Sequence, residues 1–323
     1  MDGALIIDKP EGMTSHDVVA RVRHAASIRR VGHAGTLDPF ATGVLVVCIG
    51  RATRLVQYLV GLDKQYIARV KLGFSTDTQD LTGKPATPLI SSHSLSVEAV
   101  LGTLKEFTGP LKQLPPMYSA KKVGGERLYR AARAGREIER QAVPVVIHSL
   151  KLRGLEGEVF ELIDDGALEF EIEVACSSGT YIRTLAHDLG QRLGTGGHLV
   201  ALRRTRVGHF DLSGALTLDD LAELGSKGLL GSRLISPARI VGHLPEVRLD
   251  SQAVKMVTTG RSISIGARAI EGADGGRAHV RLLDREGELV AIGEYELSDR
   301  SINPKVVFPA VGMNRAASDH LKR

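Results

Sequence analysis

One carboxylate stands out in this chain because of the segment that carries it. Asp38 lies in residues 32–43, which read GHAGTLDPFATG and are too rich in Gly, Thr and Pro for a regular helix. Because the residue before a proline is pushed towards extended geometry, we expect Asp38 on an exposed loop. The apolar run 44–49 follows at once and predicts a buried strand. An acid presented by a rigid strand is a common catalytic arrangement, although turns and helix caps also use one.

Basic residues are concentrated in three segments, although the net charge of +5 over 323 residues is modest. These segments are residues 21–30, just before the Asp38 loop, residues 112–140 and residues 203–206. The middle segment holds eight Lys or Arg residues against three acids. Each segment alone is typical of a solvated face, whereas the three together favour an anionic substrate.

The composition is that of an ordinary soluble globular protein, with 43% hydrophobic and 24% charged residues. No apolar run approaches the roughly 18 residues of a membrane span, and the N-terminus does not resemble a secretory signal. Cys48 and Cys176 lie in apolar strand-like runs, which predicts buried thiols in a reducing compartment. No Cys/His cluster indicates a metal site. We therefore expect a cytoplasmic protein without a membrane partner.

Hydrophobic periodicity predicts the elements that must position the Asp38 loop. Strands are predicted at 4–7, 44–49, 66–72, 145–152 and 168–174, and helices at 15–27, 51–60, 97–104 and 181–193.

Three further segments break this pattern. Residues 109–141 are interpreted as an insertion that leaves the core and returns, because they combine Gly and Pro with a basic helix. The Gly-, Ser- and Leu-rich residues 213–245 are interpreted as a connection to a second domain, in which a hairpin is predicted within 279–293. The polar tail, residues 313–323, is predicted to be flexible.

Several motifs, in order along the chain, resemble those of the bacterial TruB family of pseudouridine synthases. Residues 32–43 resemble the catalytic motif of that family. The other matching segments are Lys9-Pro10 with 12–15, 63–66 with 72–80, 115–129, 179–185 and 202–205. The resemblance spans residues 5–210, and residues 246–311 more weakly resemble the small RNA-binding PUA-type barrel that ends such proteins.

The resemblance implies an α+β fold with two domains. The catalytic domain, residues 1–245, would contain a mixed, mainly antiparallel sheet flanked by helices, with an RNA-gripping insertion at 109–141. Residues 246–312 would form a β-barrel-like PUA-type domain. The implied activity is isomerisation of the uridine at position 55 in the T-arm of tRNA, with no cofactor, no metal and no obligate protein partner.

The resemblance also implies residue roles. Asp38 would be the nucleophile and Arg183 the cation that holds its carboxylate, while Tyr66 and Tyr181 frame the target base. The substrate pocket would be completed by His33, which takes the place of the displaced nucleotide, and by Arg54, Asp80 and Leu202. The cations implied for RNA binding are Lys121, Lys122, Arg127, Arg130, Arg133, Arg203 and Arg204.

The chemistry of pseudouridine formation is compatible with these residue types. Uracil is detached from ribose and rejoined through carbon, which needs no redox change and no metal. A surface carboxylate is ionised at neutral pH, so Asp38 needs orientation rather than an activating base. A stacked base must first be flipped out, at a cost of a few kcal/mol that phosphate contacts can offset. Two alternatives remain: a non-catalytic tRNA-binding or tRNA-folding module that uses the same groove, and an RNA-guided enzyme of the same superfamily within a larger complex.

Overall fold

The computed structural model describes most of the chain. The described residues are 1–92, 95–119, 121–136, 138–153, 161–162, 166–264 and 277–308. Within them, only the backbone is described for Lys122, Val123, Arg127, Arg133, Glu161 and Leu162. The predicted tail, 313–323, lies outside these residues.

The described residues form seventeen strands and eight α-helices. The strands are β1 Gly3–Lys9, β2 Val31–His33, β3 Thr42–Ile49, β4 Lys64–Leu72, β5 Gly109–Gln113, β6 Lys122–Val123, β7 Glu126–Arg127, β8 Val143–Arg153, β9 Glu161–Leu162, β10 Leu168–Cys176, β11 Gly197–Val207, β12 Phe210–Asp211, β13 Glu246–Arg248, β14 Ile263–Ser264, β15 Arg277–Leu283, β16 Leu289–Glu296 and β17 Ser301–Val307. The helices are α1 Ser15–Ala26, α2 Val56–Leu59, α3 Val97–Glu106, α4 Leu128–Arg133, α5 Ile182–Arg192, α6 Leu218–Ser226, α7 Pro237–Ile240 and α8 Ser251–Thr258. The helix predicted over 51–60 is mostly a 3₁₀ turn, Gly50–Leu55, that continues into α2.

Ten of the described strands form one mixed sheet. Its path runs β1–β3–β11–β4–β10–β8–β5, with β2 on β3, β9 on β10 and β12 on β11. Paired strands are antiparallel except for β3 and β11, which run parallel where Thr42 pairs with Arg203 and Gly43 with Arg204. The predicted α+β class with a mixed, mainly antiparallel sheet is confirmed. The single parallel contact brings the end of the Asp38 loop beside β11.

Burial of one face of β4 fixes the centre of this sheet. From Lys64 to Leu72 the residues alternate between buried and half-buried, as their apolar alternation predicts. The buried face shares a core with α3 and α5 through Leu104, Leu185 and Leu189. Removing such apolar surface from water is the main force that holds helix and strand together. β4 and α5 therefore form a rigid unit, and both carry predicted site residues.

Residues 213–245 are more than the connection that their composition suggested. They include α6, whose Leu221 packs with Val18 and Val22 of α1 in a core beneath β1 and β3. Helix α6 begins at a capping box formed by Thr217 and Asp220, which satisfies free main-chain N–H groups at its start. The helix was not predicted because the high Gly and Ser content of this segment obscured leucines at helical spacing.

The predicted insertion begins later than its Gly-Pro start suggested. Residues Gly109–Gln113 form β5, an edge strand of the central sheet that pairs with β8. An edge strand tolerates Pro110, since one of its sides has no ladder partner to lose. The excursion from the core therefore starts after Gln113, and its described part contains the β6–β7 pair and α4.

A second sheet follows, with strand order β13–β15–β16–β17–β14. Its β15–β16 hairpin confirms the one predicted within 279–293. It shares an apolar core with the first sheet, in which Val306 and Phe308 lie with Val44 and Val46 of β3. The two sheets are therefore joined by packed side chains and not by chain connectivity alone.

Candidate active site

A buried lysine holds the Asp38 loop in place. Lys9 ends β1 with no exposed surface, and its Nζ donates to the carbonyls of Pro10, Pro39 and Ala41 at 2.8, 3.1 and 2.6 Å. Burial lowers the pKa of Lys9 to about 8, and the nearby Asp38 carboxylate opposes this shift. Main-chain carbonyls after Asp38 are thus anchored to the end of a core strand.

The loop is also fixed on its other sides. The main-chain N–H of Leu37 donates to Ser15 Oγ, in the first turn of α1, at 2.9 Å. Just after the loop, Gly43 has a φ of +101°, and a Cβ there would collide with the main chain of Arg204. Only glycine combines this backbone conformation with such a close approach of β3 to β11. The position of Asp38 is therefore set by α1, β1 and β11 together.

The guanidinium of Arg183 binds Asp38 with two nitrogen atoms. Its Nε lies 3.0 Å from Oδ2 of Asp38, and its Nη2 donates to Oδ1 at 3.3 Å. Its remaining N–H groups donate to Asp80 Oδ2 at 3.2 Å, Thr78 O at 3.0 Å and Tyr118 O at 2.8 Å. Nη1 and Nη2 of the guanidinium thus each have two acceptors, Nε lies at ion-pair distance from Asp38, and only 5% of this side chain is exposed. Arg183 is a fixed cation beneath the Asp38 carboxylate.

Asp80 is the second carboxylate on that guanidinium. Its Oδ1 accepts hydrogen bonds from Thr78 Oγ1 at 2.7 Å and from Thr82 N and Oγ1 at 3.0 and 2.5 Å. These bonds orient the carboxylate so that Oδ2 faces Arg183. Two carboxylates on one guanidinium leave the cluster with a net negative charge.

The carboxyl group of Asp38 is half-buried, with 35% of the side chain exposed. Desolvation raises its pKa above the ordinary value of 3.8 and the negative charge of Asp80 adds to this shift, whereas the Arg183 guanidinium opposes it. A carboxylate of raised pKa is a stronger base and nucleophile than one on the surface. The oriented carboxylate is therefore suited to attack a bound substrate.

A cleft of about 250 Å³ opens beside Asp38. Besides the Asp38 loop, its lining includes Val60, Lys64, Tyr66, Ser119, Tyr181, Leu202 and Arg204. Tyr66 is 8% exposed, and burial raises the pKa of its hydroxyl, while the positive charge of the nearby Arg204 guanidinium opposes the shift. Tyr66 thus presents a neutral aromatic wall, and Leu202 an apolar one, to whatever occupies the cleft.

Tyr181 and Arg183 reach the cleft from the same helix end. Tyr181 is the N-cap residue of α5, with extended backbone at φ −99° and ψ 106°. Burial raises the pKa of its hydroxyl, and interaction with Ser119 opposes that shift. One helix start therefore places an aromatic ring in the cleft and the guanidinium behind Asp38.

Two cations assigned to RNA phosphates have other partners. Arg204 is only 1% exposed, and its Nε and Nη2 donate to the carbonyls of Val44 and Gly35 at 2.8 and 3.1 Å. It supports the cleft from within, so the expectation that it meets a phosphate is corrected. Arg203 forms a two-nitrogen ion pair with Asp8, with N–O distances of 2.7 and 3.1 Å, so its charge is already neutralised.

Arg54 and His33 do not line the cleft. Arg54 Nη1 donates to the carbonyl of Val307 in β17 at 2.8 Å, so this residue joins the two sheets, and its assignment to the substrate pocket is corrected. His33 ends β2 half-buried, with its ring edge-on to that of His16 at 5.5 Å between centroids. Burial lowers the pKa of His33, and the neighbouring His16 adds to this shift.

The excursion after Gln113 carries the other cations implied for RNA binding. Lys121 is half-buried and Arg130 is exposed. The side chains of Lys122, Arg127 and Arg133 lie outside the described residues.

Sequence reasoning missed two buried lysines. Lys9 shares a strand face with the core residues Leu5 and Ile7, and this period-two spacing was a usable signal. Lys64 shares the buried face of β4 with Tyr66, and its Nζ donates to two carbonyls of the turn before β4. Burial lowers the pKa of Lys64 to about 8. A lysine at a buried strand position must find carbonyl partners.

Other groupings in the described part of the chain are few. None of its helices is both long and apolar enough to cross a membrane. No cluster of three or more His, Cys, Asp or Glu side chains suited to a metal ion occurs within the same residues. Cys48 and Cys176 are buried free thiols, as predicted.

Comparison with known proteins identifies a family for the chain. The model of the TruB family pseudouridylate synthase N-terminal domain matches residues 23–182, and that of the tRNA pseudouridylate synthase B C-terminal domain matches 183–237. A Thermobifida fusca protein named tRNA pseudouridine synthase B is 44% identical over 95% of this chain and 98% of its own length. A Geobacter sulfurreducens protein of the same name is 46% identical over 80% of this chain and 82% of its own.

Two solved structures share the fold. A chain of an H/ACA RNP bound to a substrate RNA containing 2′-deoxyuridine has 26% identity and a TM-score of 0.72, covering 95% of this chain and 85% of that one. A chain of a Cbf5-Nop10-Gar1 complex has 27% identity and a TM-score of 0.73, covering 94% and 84%. The predicted fold class, including the small PUA-type part at the C-terminal end, is confirmed. With 44% identity along 95% of the chain to a tRNA pseudouridine synthase B, and with the family's N-terminal and C-terminal domain models both matching, the chain belongs to the TruB family of pseudouridylate synthases.

Proposed function

We propose that this protein isomerises a uridine of tRNA to pseudouridine, and that the uridine is the one at position 55 in the T-arm. The isomerase class follows from the family, and the tRNA substrate is supported by the names of its relatives. The observation that carries the proposal is the pairing of Asp38 with the buried Arg183 beside an aromatic-walled cleft.

Asp38 is proposed as the nucleophile. Its carboxylate bonds to the nucleotide while the bond between ribose and the uracil nitrogen breaks. The uracil then turns and its carbon bonds to the ribose as the bond to Asp38 breaks, and one proton passes from this carbon to the freed uracil nitrogen. Arg183 holds both carboxylate oxygens of Asp38. The carboxylate is therefore already oriented and does not have to move at the moment of attack. Tyr66 stacks on the uracil, and Leu202 keeps the cleft dry around it.

Base flipping follows from the recessed position of Asp38. A base inside an RNA stem cannot enter a cleft of about 250 Å³, so the nucleotide must leave its stack. His33, which ends β2 directly before the Asp38 loop and does not line the cleft, is proposed to fill the gap left in the RNA. Lys121 and Arg130 of the excursion are proposed to contact phosphates, which offsets the cost of flipping.

Two regions of the chain are proposed to have separate roles. Residues 1–245 would carry the reaction, and residues 246–312 would provide a second RNA-binding surface. Support comes from the second sheet, which has its own core around Val280, Leu282 and Tyr295 and is joined to the first by apolar packing. Both surfaces would therefore meet one RNA together.

The test incubates the purified chain with unmodified tRNA and maps pseudouridine at nucleotide resolution. We expect product at one uridine of the T-arm for the wild type and none for Asp38→Ala, with tRNA binding retained. Glu223→Ala removes an exposed acid of α6 and serves as the matched control that keeps full activity. If the wild type forms no product and Asp38→Ala binds equally well, the protein is a binding or folding module instead.

A further inference from the structure

Gln113 is a buried glutamine whose carboxamide contacts the main chain of a residue 68 positions away. Its Oε1 accepts from the N–H of Tyr181 at 2.9 Å, and its Nε2 donates to the carbonyl of Tyr181 at 3.3 Å. The residue is only 2% exposed. Because a main-chain N–H only donates and a carbonyl only accepts, these partners determine which end of the amide is oxygen.

The residue held in this way is the one at which α5 begins. The carbonyl of Tyr181 also accepts the first helical hydrogen bond, from Leu185 N at 3.0 Å. Both polar main-chain groups of Tyr181 are therefore tied to Gln113, and the second residue after Tyr181 is Arg183. The contact fixes the helix start from which the aromatic ring and the guanidinium project.

Gln113 is also the last residue of the rigid sheet before the excursion. It ends β5, where it pairs with Val143 of β8. A few residues later, Tyr118 on the excursion accepts a hydrogen bond from Arg183 at 2.8 Å. The start of α5 is thus held from the sheet side by Gln113 and from the excursion side by the Tyr118 carbonyl.

We infer that Gln113 is a positioning residue for the reaction, whose carboxamide holds the start of α5 so that Tyr181 faces the cleft and Arg183 meets Asp38. The inference rests on the proposed role of Asp38. Gln113 lines no part of the cleft and acts only through the residues on α5.

Gln113→Met tests the carboxamide at nearly constant side-chain volume. The thioether can neither donate to the Tyr181 carbonyl nor accept well from its N–H. Since misplacement by about 1 Å can cost a factor of about 100 in rate, we expect single-turnover pseudouridine formation to fall about tenfold or more. The dissociation constant for tRNA should stay within about twofold. Gln191→Met, which removes an exposed amide that donates to Ser75 Oγ at the far end of α5, is the control and should leave both quantities unchanged.

Gln113→Glu provides a second measurement, the pH dependence of the reaction rate, which would not change if the role of Gln113 were only structural. A protonated carboxyl group both accepts and donates, as the amide does, whereas an ionised one only accepts. The rate of this variant relative to wild type should therefore rise as the pH is lowered from about 8 to about 6, while the relative rate of Gln113→Met stays flat. The two pH dependences distinguish a positioning role from a structural role of Gln113 even where Gln113→Met lowers the melting temperature.

The inference is overturned if Gln113→Met reacts within about twofold of wild type, or if the relative rate of Gln113→Glu does not change with pH. If Asp38→Ala is inactive in the same assay, only the role of Gln113 then fails. If Asp38→Ala retains activity, the proposed role of Asp38 fails first, and the inference with it; if the wild type forms no product, the proposed function itself fails.

Discussion

Asp38 and Asp80 bind different edges of one guanidinium, although one lies on the loop before β3 and the other on the turn after β4. Arg183 Nη1 faces Asp80, while Nε and Nη2 face Asp38. Because Asp80 is itself held by Thr78 and Thr82, the position of the guanidinium does not depend on Asp38 alone. The guanidinium of Arg183 is thus held in position before a substrate binds.

Arg183→Lys should lower the single-turnover rate by about 100-fold or more. An ammonium group carries the charge but cannot form the two-nitrogen contact with Asp38 and reach Asp80 and Tyr118 O at the same time. Single-turnover kinetics with modified-nucleotide mapping measures the decrease. Arg192→Lys, on the same helix but exposed and paired with Glu106, is the control and should react as wild type. Equal rates for both variants would remove Arg183 from the mechanism.

Asp80→Asn should shift the acidic limb of the pH–rate profile to lower pH. The negative charge of Asp80 helps to raise the pKa of Asp38, so neutralising it lets Asp38 ionise more readily. In the wild type, the rate should fall as the pH drops through a pKa higher than 3.8, where the carboxylate becomes protonated. The profile is measured under single-turnover conditions for both proteins, and an unmoved acidic limb would contradict the coupling.

Lys9→Met should reduce the amount by which the free energy of unfolding increases as the pH becomes alkaline. The folded-state pKa of Lys9 is about 8 against 10.5 for the free side chain, so the unfolded chain binds more protons between these values. The free energy of unfolding therefore gains a contribution from Lys9 as the pH rises from about 8 to about 10.5. Urea unfolding of wild type and variant at about pH 7.5 and about pH 10 isolates this contribution as a difference between the two proteins. A difference that does not change with pH would show that Lys9 does not titrate in this window.

Gly43→Ala should destabilise the protein by about 2 kcal/mol or more, because it combines a positive φ with a collision against the Arg204 main chain. Gly102→Ala is the matched control, since this exposed glycine lies inside α3 with nothing near its added Cβ. It should be stabilising by up to about 1 kcal/mol. Denaturant unfolding of the two variants gives opposite signs if the close approach of β3 to β11 is correct.

Lys121→Ala combined with Arg130→Ala should weaken tRNA binding and flatten its salt dependence, by about one unit of slope for each phosphate that the variant no longer neutralises. Binding is measured over a series of salt concentrations. Arg203→Ala is the control, because its guanidinium is already paired with Asp8. A slope that changes for Arg203→Ala and not for the double variant would reverse the roles proposed for these cations.

The sequence predicted those parts of the site that depend on local pattern. Composition and spacing predicted the buried face of β4 with Tyr66 near one end, the helix that follows Tyr181, and a loop around Asp38. The loop is confirmed for residues 34–41, whereas the two residues at each end of the predicted segment 32–43 belong to β2 and β3. Asp38 was singled out by its Gly- and Pro-rich segment, whereas its role and the parts of Arg183 and Asp80 came from family resemblance; the structure brings the three side chains together.

The face of the sheet on which the Arg204 side chain lies could not be predicted from the alternation of residues along β11. Register shifts in β11 between Leu199 and Ala201 and between Arg204 and Arg206 change the side of the sheet on which successive residues lie. A bulge has no reliable signature in a single sequence, and each one moves the following residues to the other face. Two of the carbonyl partners of Lys9, those of Pro39 and Ala41, could not be predicted either, because they lie on a loop that is distant from Lys9 in the sequence.

Strand β3 emerges from the Asp38 loop and, a few residues later, packs through Val44 and Val46 against Val306 and Phe308 at the end of the second sheet. The Asp38 loop leads into the same short strand against which the second sheet packs. An RNA that touches both must present its uridine at one set distance from its second point of contact. Under the proposed function, the protein would select a uridine by its distance from the second contact on a folded RNA, and would need to read little of the sequence around it.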